Sequence, residues 1–345
     1  MEKRKQDKEQ EINPWWIIFV LAVVMILPLV IQSKYLIYMA NLIGIAIIGS
    51  VGLNFLMGYT GQISLGHAAF IAIGAYSTSL LHIKAGITFW IALPLGGVSA
   101  AIIGLIVGIP CLRLSGLYLA IATMGFGFII DEAIVFWKVM TNGAEGMLVK
   151  RASLGPLVFN NDRSNYYLIY ILVIVLVYFA KNIEDSRIGR AFIAIRDSEE
   201  AAQTTGISLL NYRLLAFAVS SFYAGIAGGL LANLMGHISP ENFNLLLSIE
   251  YLVMQVIGGM GYLWGAILGA IFITILPEAI RFIKPVLPEV IATNQGFAPF
   301  IYGLIMIFFM IFESHGLYGR WLKIKVYWKL FPFNPKQLKK RSRWK

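Results

Sequence analysis

In an apolar stretch of chain an ionisable side chain is where function concentrates, because taking it into hydrocarbon costs free energy. Glu250 is such a group, about five residues into the run 245–257, or about 7.5 Å along a helix. Its carboxylate either sits beside the ammonium group of a zwitterionic solute or reaches the membrane interface or a structural partner. Gln62, Ser64 and His67 form a second polar set, following Gly61. They either expose polar groups toward a solute pathway or hydrogen-bond neighbouring helices. Asp131 and Glu132 stand near the end of another apolar run, ahead of Trp137, where they meet a partner or remain solvated. No nucleophile and base converge with these residues. His82, His237 and His315 have no ligand spacing, and HExxH does not occur. Cys111 is the only cysteine, which leaves packing as its role and gives no support to a disulfide or a cysteine metal site. Weak contact with a passing solute is the chemistry these residues suit, and no metal site is expected.

A different pattern occupies residues 181–211, a long polar interruption between two hydrophobic stretches. Ile188, Ala191, Phe192 and Ile195 recur at helical spacing, while Arg187, Arg190 and Asp197 fall on the opposite face, so a short amphipathic helix is expected. Asp197 and Glu200 have the spacing of a capping box, and Gly206 stands where a helix needs a left-handed terminator. A second helix of about two turns follows, over 198–205, with the small side chains of Ala201 and Ala202 available for close contact. Two capped helices are more than a simple connector requires. The segment reads as a docking loop.

The elements that hold these groups are membrane spans. The chain is 58% hydrophobic and 13% charged, with a mean hydropathy of +0.74, which is the usage of a polytopic membrane protein. About 20 apolar residues cross the hydrocarbon. The expected fold class is therefore an all-α polytopic bundle of about ten spans: 15–31, 35–57, 63–81, 87–109, 117–136, 166–180, 212–235, 245–257, 262–276 and 297–312. The two around Gly258 to Gly261 are short, and one or both are read as broken or re-entrant. The apolar run 15–31 is too long for a signal peptide and lacks a small-residue cleavage site, so it reads as a retained span.

The net charge of +10 comes from an N-terminal tail, the 181–211 loop and a C-terminal tail. No soluble basic domain exists to bind nucleic acid. With ten crossings and a cytoplasmic N-terminus, 20 of the 28 lysines and arginines fall inside and eight outside, as the positive-inside rule requires. One membrane domain, 1–345, then carries a cytoplasmic N-tail (1–14), the cytoplasmic loop (181–211) and a basic cytoplasmic C-tail (318–345). Small residues at helix-packing spacing occur in Gly104-x-x-x-Gly108 and Gly265-x-x-x-Gly269. Gly58-x-x-Gly61 and Gly258-x-x-Gly261 both follow spans drawn as running inward, which hints at an internal repeat.

Several segments, in order, carry a resemblance. Gly52-Leu53-Asn54 leads to Gly58-Tyr59-Thr60-Gly61-Gln62-Ile63-Ser64-Leu65-Gly66-His67-Ala68-Ala69-Phe70 and then Gly74-Ala75-Tyr76. Leu112-Arg113-Leu114 with Gly116-x-Tyr118 precedes Thr123-x-Gly125-Phe126-Gly127, and Asn142-Gly143 precedes Glu145-Gly146. Gly258-Gly259-Met260-Gly261 is followed by Leu263-Trp264-Gly265 and Leu268-Gly269-Ala270, then Tyr302-Gly303-Leu304 and Gly316-Leu317-x-Gly319. Together these resemble the LivM-type permeases of branched-chain amino-acid ABC importers, and the 181–211 loop is similar to the EAA-type loop of ABC importer permeases. Glu313-Ser314-His315 departs from the basic, proline-containing sequence usual there, and no Leu-Pro follows the EAA-like stretch.

The resemblance implies a permease subunit in the cell membrane of a prokaryote that imports leucine, isoleucine or valine. It implies a second, LivH-like permease, two cytoplasmic ATP-binding subunits and an extracytoplasmic substrate-binding protein as partners. Arg187, Gly189, Arg190, Arg196, Asp197, Glu200, Ala201, Ala202 and Gly206 would couple to the ATPases, and Gln62, Ser64, His67 and Glu250 would line the pathway. No cofactor is expected on this chain, since it holds no G-x-x-x-x-G-K-[ST] loop, and ATP is used by the partners. Urea or a short amide is the alternative cargo. An ion-coupled carrier is the rival from another class, and it would call for more mid-membrane acids than Glu250. A membrane enzyme is a third reading.

Overall fold

The computed structural model describes residues 25–31, 33–111, 114, 116–154, 157–159, 161–283, 300–301, 303–304, 307–308 and 316–330. Most of the expected span 15–31, most of 297–312, the N-tail and the end of the C-tail lie outside the described residues, as do Arg113 and the 313–315 departure. Eleven helices carry the account: α1 (Lys34–Leu53), α2 (His67–Ile83), α3 (Phe89–Cys111), α4 (Leu117–Phe136), α5 (Asp162–Asp185), α6 (Arg187–Asp197), α7 (Glu199–Thr204), α8 (Leu209–Met235), α9 (Leu245–Gly258), α10 (Leu263–Ile283) and α11 (Gly316–Leu330).

Among the described residues, five helices are long and apolar enough to cross a membrane: Lys34–Tyr59, Phe89–Cys111, Leu117–Phe136, Asp162–Asp185 and Leu209–Met235. The shorter apolar helices His67–Ile83 and Leu263–Ala279 pack among them. The chain is thus a multi-pass helical membrane protein. Among the described residues, four two-residue strands form two antiparallel pairs in the loops. Met147–Leu148 pairs with His237–Ile238, and Ser153–Leu154 with Leu157–Val158.

α8 is the central post, packed on α1, α2 and α3. Lipid tails are as apolar as leucine, so helices associate in a membrane through close van der Waals fit and interhelical hydrogen bonds. The sequence supplies the fit with glycine. A side chain at Gly225 of α8 or at Gly74 of α2 would strike backbone of the other helices. The spaced glycines of α3 behave alike, Gly104 lying on Ser221 and Gly108 on Leu214 and Phe217. Gly265 and Gly269 of α10 lie against the backbone of α9.

Hydrogen bonds fix the register of these contacts. Gln255 Nε2 of α9 donates to Ser50 O (2.6 Å), and Ser50 Oγ of α1 donates to Ala266 O of α10 (3.0 Å). Asn233 Nδ2 of α8 donates to Asn165 Oδ1 of α5 (3.1 Å), and Tyr223 Oη donates to Leu176 O (2.8 Å). All four polar side chains that donate here are buried, where an unmade bond is costly.

Two expected spans need correction. The span 63–81 begins later, because 61–66 are not helical and α2 starts at His67. Leu65 N bonds sideways to Thr123 Oγ1 (3.0 Å) and Gly66 N to Ser64 Oγ (3.3 Å), in place of helical partners. The span 35–57 does not stay α-helical either. From Asn54 to Tyr59 it widens into a π-helix, a form that is rare and is found mostly at functional positions.

Candidate functional site: the inner loop and the polar entry to α2

The 181–211 loop folds as two helices, α6 and α7. Ser186 caps α6, its Oγ accepting from Ile188 N (3.1 Å) and Gly189 N (3.4 Å). Ala191, Phe192 and Ile195 are buried, and Phe192 meets the edge of Tyr212 of α8 at a centroid distance of 6.3 Å. The apolar stripe therefore faces the bundle, while Arg187 and Arg190 face outward.

The expected capping box of Asp197 and Glu200 does not form. Asp197 is the last residue of α6, and the extended backbone of Ser198 (φ −163°, ψ 116°) breaks the helix one residue later. Ser198 Oγ instead accepts from Ala201 N (3.2 Å) and caps α7. Asp197 Oδ1 faces Arg196 Nη2 at 3.5 Å. Gly206 has φ +82°, the left-handed terminator its position suggests.

Of the residues expected on the contact surface, Ala202 and Gly189 are buried, while Arg196 stays exposed but is tied to the membrane domain. Ala202 is 2% exposed, so the small face open to a partner narrows to Ala201. Gly189 is buried against the carbonyls of Ile183 and Glu184, leaving no room for a side chain. Arg196 turns toward the membrane domain, and its Nη1 donates to Gly58 O at 2.7 Å. Glu200 and Ala201 remain exposed with Arg187, Arg190 and Asp197. An ion pair between Arg213 and Glu199 fastens α7 to α8. Beside it opens a groove of about 680 Å³, lined by Ile109, Gln203, Ile207, Leu210 and Arg213 among others.

The polar set near Gly61 splits in space. Gln62 stays at the turn after the π-helix, where its N bonds to Leu56 O (3.0 Å) and its buried Oε1 has no hydrogen-bond partner among the described residues. Ser64 and His67 lie deeper. His67 is 1% exposed, its Nε2 is 3.0 Å from Gly49 O, and its ring meets the edge of Tyr251 of α9. Gly49 precedes the end of the π-helix by ten residues, roughly 15 Å of helix. The irregular segment 60–66 therefore runs back along α1 within the bundle, as non-helical backbone at membrane depth must. Ser248 Oγ of α9 accepts from Ala68 N (2.9 Å), holding the first turn of α2. Glu250 lies between Ser248 and Tyr251 in sequence and is half-buried.

Sequence reasoning passed over one further feature and left a second open. Asn54 Oδ1 accepts from Gly261 N (3.0 Å) and ties the π-helix to the α9–α10 turn. The Oδ1 of Asp131, a residue expected to meet a partner or remain solvated, is buried, as is Tyr76 Oη, and neither has a hydrogen-bond partner among the described residues. The recurrence of Gly58-x-x-Gly61 as Gly258-x-x-Gly261 was the signal for the first, since a side chain at Gly58 would strike Gly261. Among the described residues no group of three or more His, Cys, Asp or Glu could hold a metal ion.

Comparison with known proteins places the whole arrangement. The family described as "Branched-chain amino acid transport system / permease component" matches residues 35–310. The high-affinity branched-chain amino acid transport system permease protein LivM of Escherichia coli (strain K12) is 33% identical over 309 residues, covering 83% of this chain and 70% of the relative. The probable branched-chain amino acid transport permease protein LivH of Methanocaldococcus jannaschii is 24% identical over 290 residues, 80% of this chain and 89% of the relative. The autoinducer 2 import system permease protein LsrC of Escherichia coli O9:H4 (strain HS) is 24% identical over 238 residues, 65% of this chain and 64% of the relative. No solved structure matches. The chain therefore belongs to the family of permease components of branched-chain amino acid transport systems.

Proposed function

We propose that this chain is one of two permeases in an ATP-driven importer of leucine, isoleucine and valine, set in the cell membrane with ten crossings and both termini in the cytoplasm. A LivH-like permease completes the pathway, and two ATP-binding subunits act on α6 and α7. A binding protein delivers the cargo from outside. The observation that carries this reading is the α6–α7 unit itself, in a chain of this family. It is two capped helices whose apolar face is sunk in the bundle and whose charged face is free. A solvated connector needs neither cap.

The outward surface of Arg187, Arg190, Asp197, Glu200 and Ala201 is the part offered to an ATPase. Gly189, Arg196 and Ala202 act from within, holding that surface to the bundle. His67, Ser64 and Gln62 border the irregular segment before α2, and Glu250 belongs to α9, the helix whose Ser248 and Tyr251 meet the start of α2. In this reading they belong to a pathway that passes an apolar solute without gripping it, because the binding protein supplies affinity. Competition tests the cargo. In liposomes holding the full set of subunits, binding protein and ATP, radiolabelled leucine should accumulate. Excess isoleucine and valine should suppress it and urea should not. Accumulation of urea without leucine would transfer the assignment to the amide reading.

A further inference from the structure

We infer that Arg196 is the strut through which the inner loop moves the membrane domain, its side chain seated between the two glycine turns 58–61 and 258–261. The inference rests on the reading of α6–α7 as the ATPase docking unit. Arg196 is the penultimate residue of α6. Its Nη1 donates to Gly58 O at 2.7 Å, near the end of the π-helix that closes α1. A carbonyl at a helix C-terminus has no partner within the helix, and a cation there also meets the negative end of the helix dipole. Charge-assisted bonds of this kind are roughly twice as strong as neutral ones.

The seat is made of backbone. Gly61 (φ +72°) leaves Arg196 Cγ just room, since a Cβ there would stand 3.2 Å from it. Gly261 (φ +82°) lies against the guanidinium, where a Cβ would strike Nη1. Asn54 Oδ1 closes the base by accepting from Gly261 N. One side chain of the loop thereby touches the inner end of α1 and the α9–α10 turn together. Displacing α6 must carry both or break the bond. The π-helix beneath it, 54–59, is the element such a displacement would load first. A lysine could reach the carbonyl with one donor but lacks the planar fork that fills a slot between two turns.

The test uses the complete transporter in liposomes, with Arg196→Ala, Arg196→Lys and Ala201→Arg compared with the parent. ATPase subunits should co-purify with both Arg196 variants at parental levels, and basal ATP hydrolysis should persist. Leucine uptake per ATP hydrolysed should fall about tenfold in Arg196→Ala, the scale expected for one charge-assisted bond, and less in Arg196→Lys. Ala201→Arg should instead lose the ATPase subunits. Parental uptake per ATP in Arg196→Ala, or loss of ATPase association in Arg196→Lys, would overturn the strut. If Arg196→Ala fails to fold, the lysine variant decides: an unchanged ratio with bound ATPase also overturns it. Unchanged association and uptake in Ala201→Arg would sink the docking reading instead, whatever the Arg196 variants do.

Discussion

At the scale of single residues, His67 shows how a polar group in a membrane protein can be structure or pathway. Its ring is buried, 3.0 Å from Gly49 O and edge-on to Tyr251. A bond and a ring contact of this kind contribute about 1 kcal/mol each. His67→Ala is therefore expected to lower the melting temperature of the purified transporter by a few degrees, read by thermal unfolding in detergent. Lost uptake with an unchanged melting temperature would show that His67 serves the pathway without a part in the packing. The spacing of Ile188, Ala191, Phe192 and Ile195 made the buried stripe of α6 legible, because a helix turns 3.6 residues at a time. The same periodicity could not reveal that Arg196 reaches inward. A six-atom side chain on the edge of a stripe goes where a carbonyl is free, and Gly58 is distant in sequence. The cap was misread by one residue for a similar reason: Asp and Ser are equally good caps, and only the extended backbone of Ser198 selects it.

At the scale of elements, glycine sets how closely helices meet. Gly225 of α8 approaches Gly74 of α2 and Gly96 and Gly97 of α3, so Gly225→Leu should prevent three helices from closing on one another. Little folded protein should survive detergent extraction, measured by fluorescence-detected size exclusion. Gly125→Ala on α4, which faces open space within the chain, should leave that profile unchanged. The apolar runs were readable as spans because hydropathy reports length and composition. Less legible were the π-helix 54–59 and the irregular 60–66. Both are as apolar or small as helix interior, and their departure from α geometry comes from partners far along the chain, Gly261 for one and Thr123 for the other. The shortness of α9 was visible, since its 14 residues reach only about 21 Å.

At the scale of the whole molecule, the chain is a helical bundle carrying one charged, capped unit, α6–α7. On the proposed ten crossings, the positive-inside count would put both termini in the cytoplasm. A cysteine introduced near Lys340 in a variant lacking Cys111 should resist a membrane-impermeant thiol reagent in intact cells and react after permeabilisation. Labelling from outside would reverse the topology. In the proposed division of work, energy would enter through α6 and α7, since the sequence has no P-loop of its own. The most direct measurement is leucine accumulation in liposomes carrying the full set of subunits, with ATP and binding protein, after ionophores have collapsed proton and sodium gradients. The account predicts that accumulation persists and stops when ATP is withheld. Uptake by this chain alone, abolished by the ionophores, would contradict it.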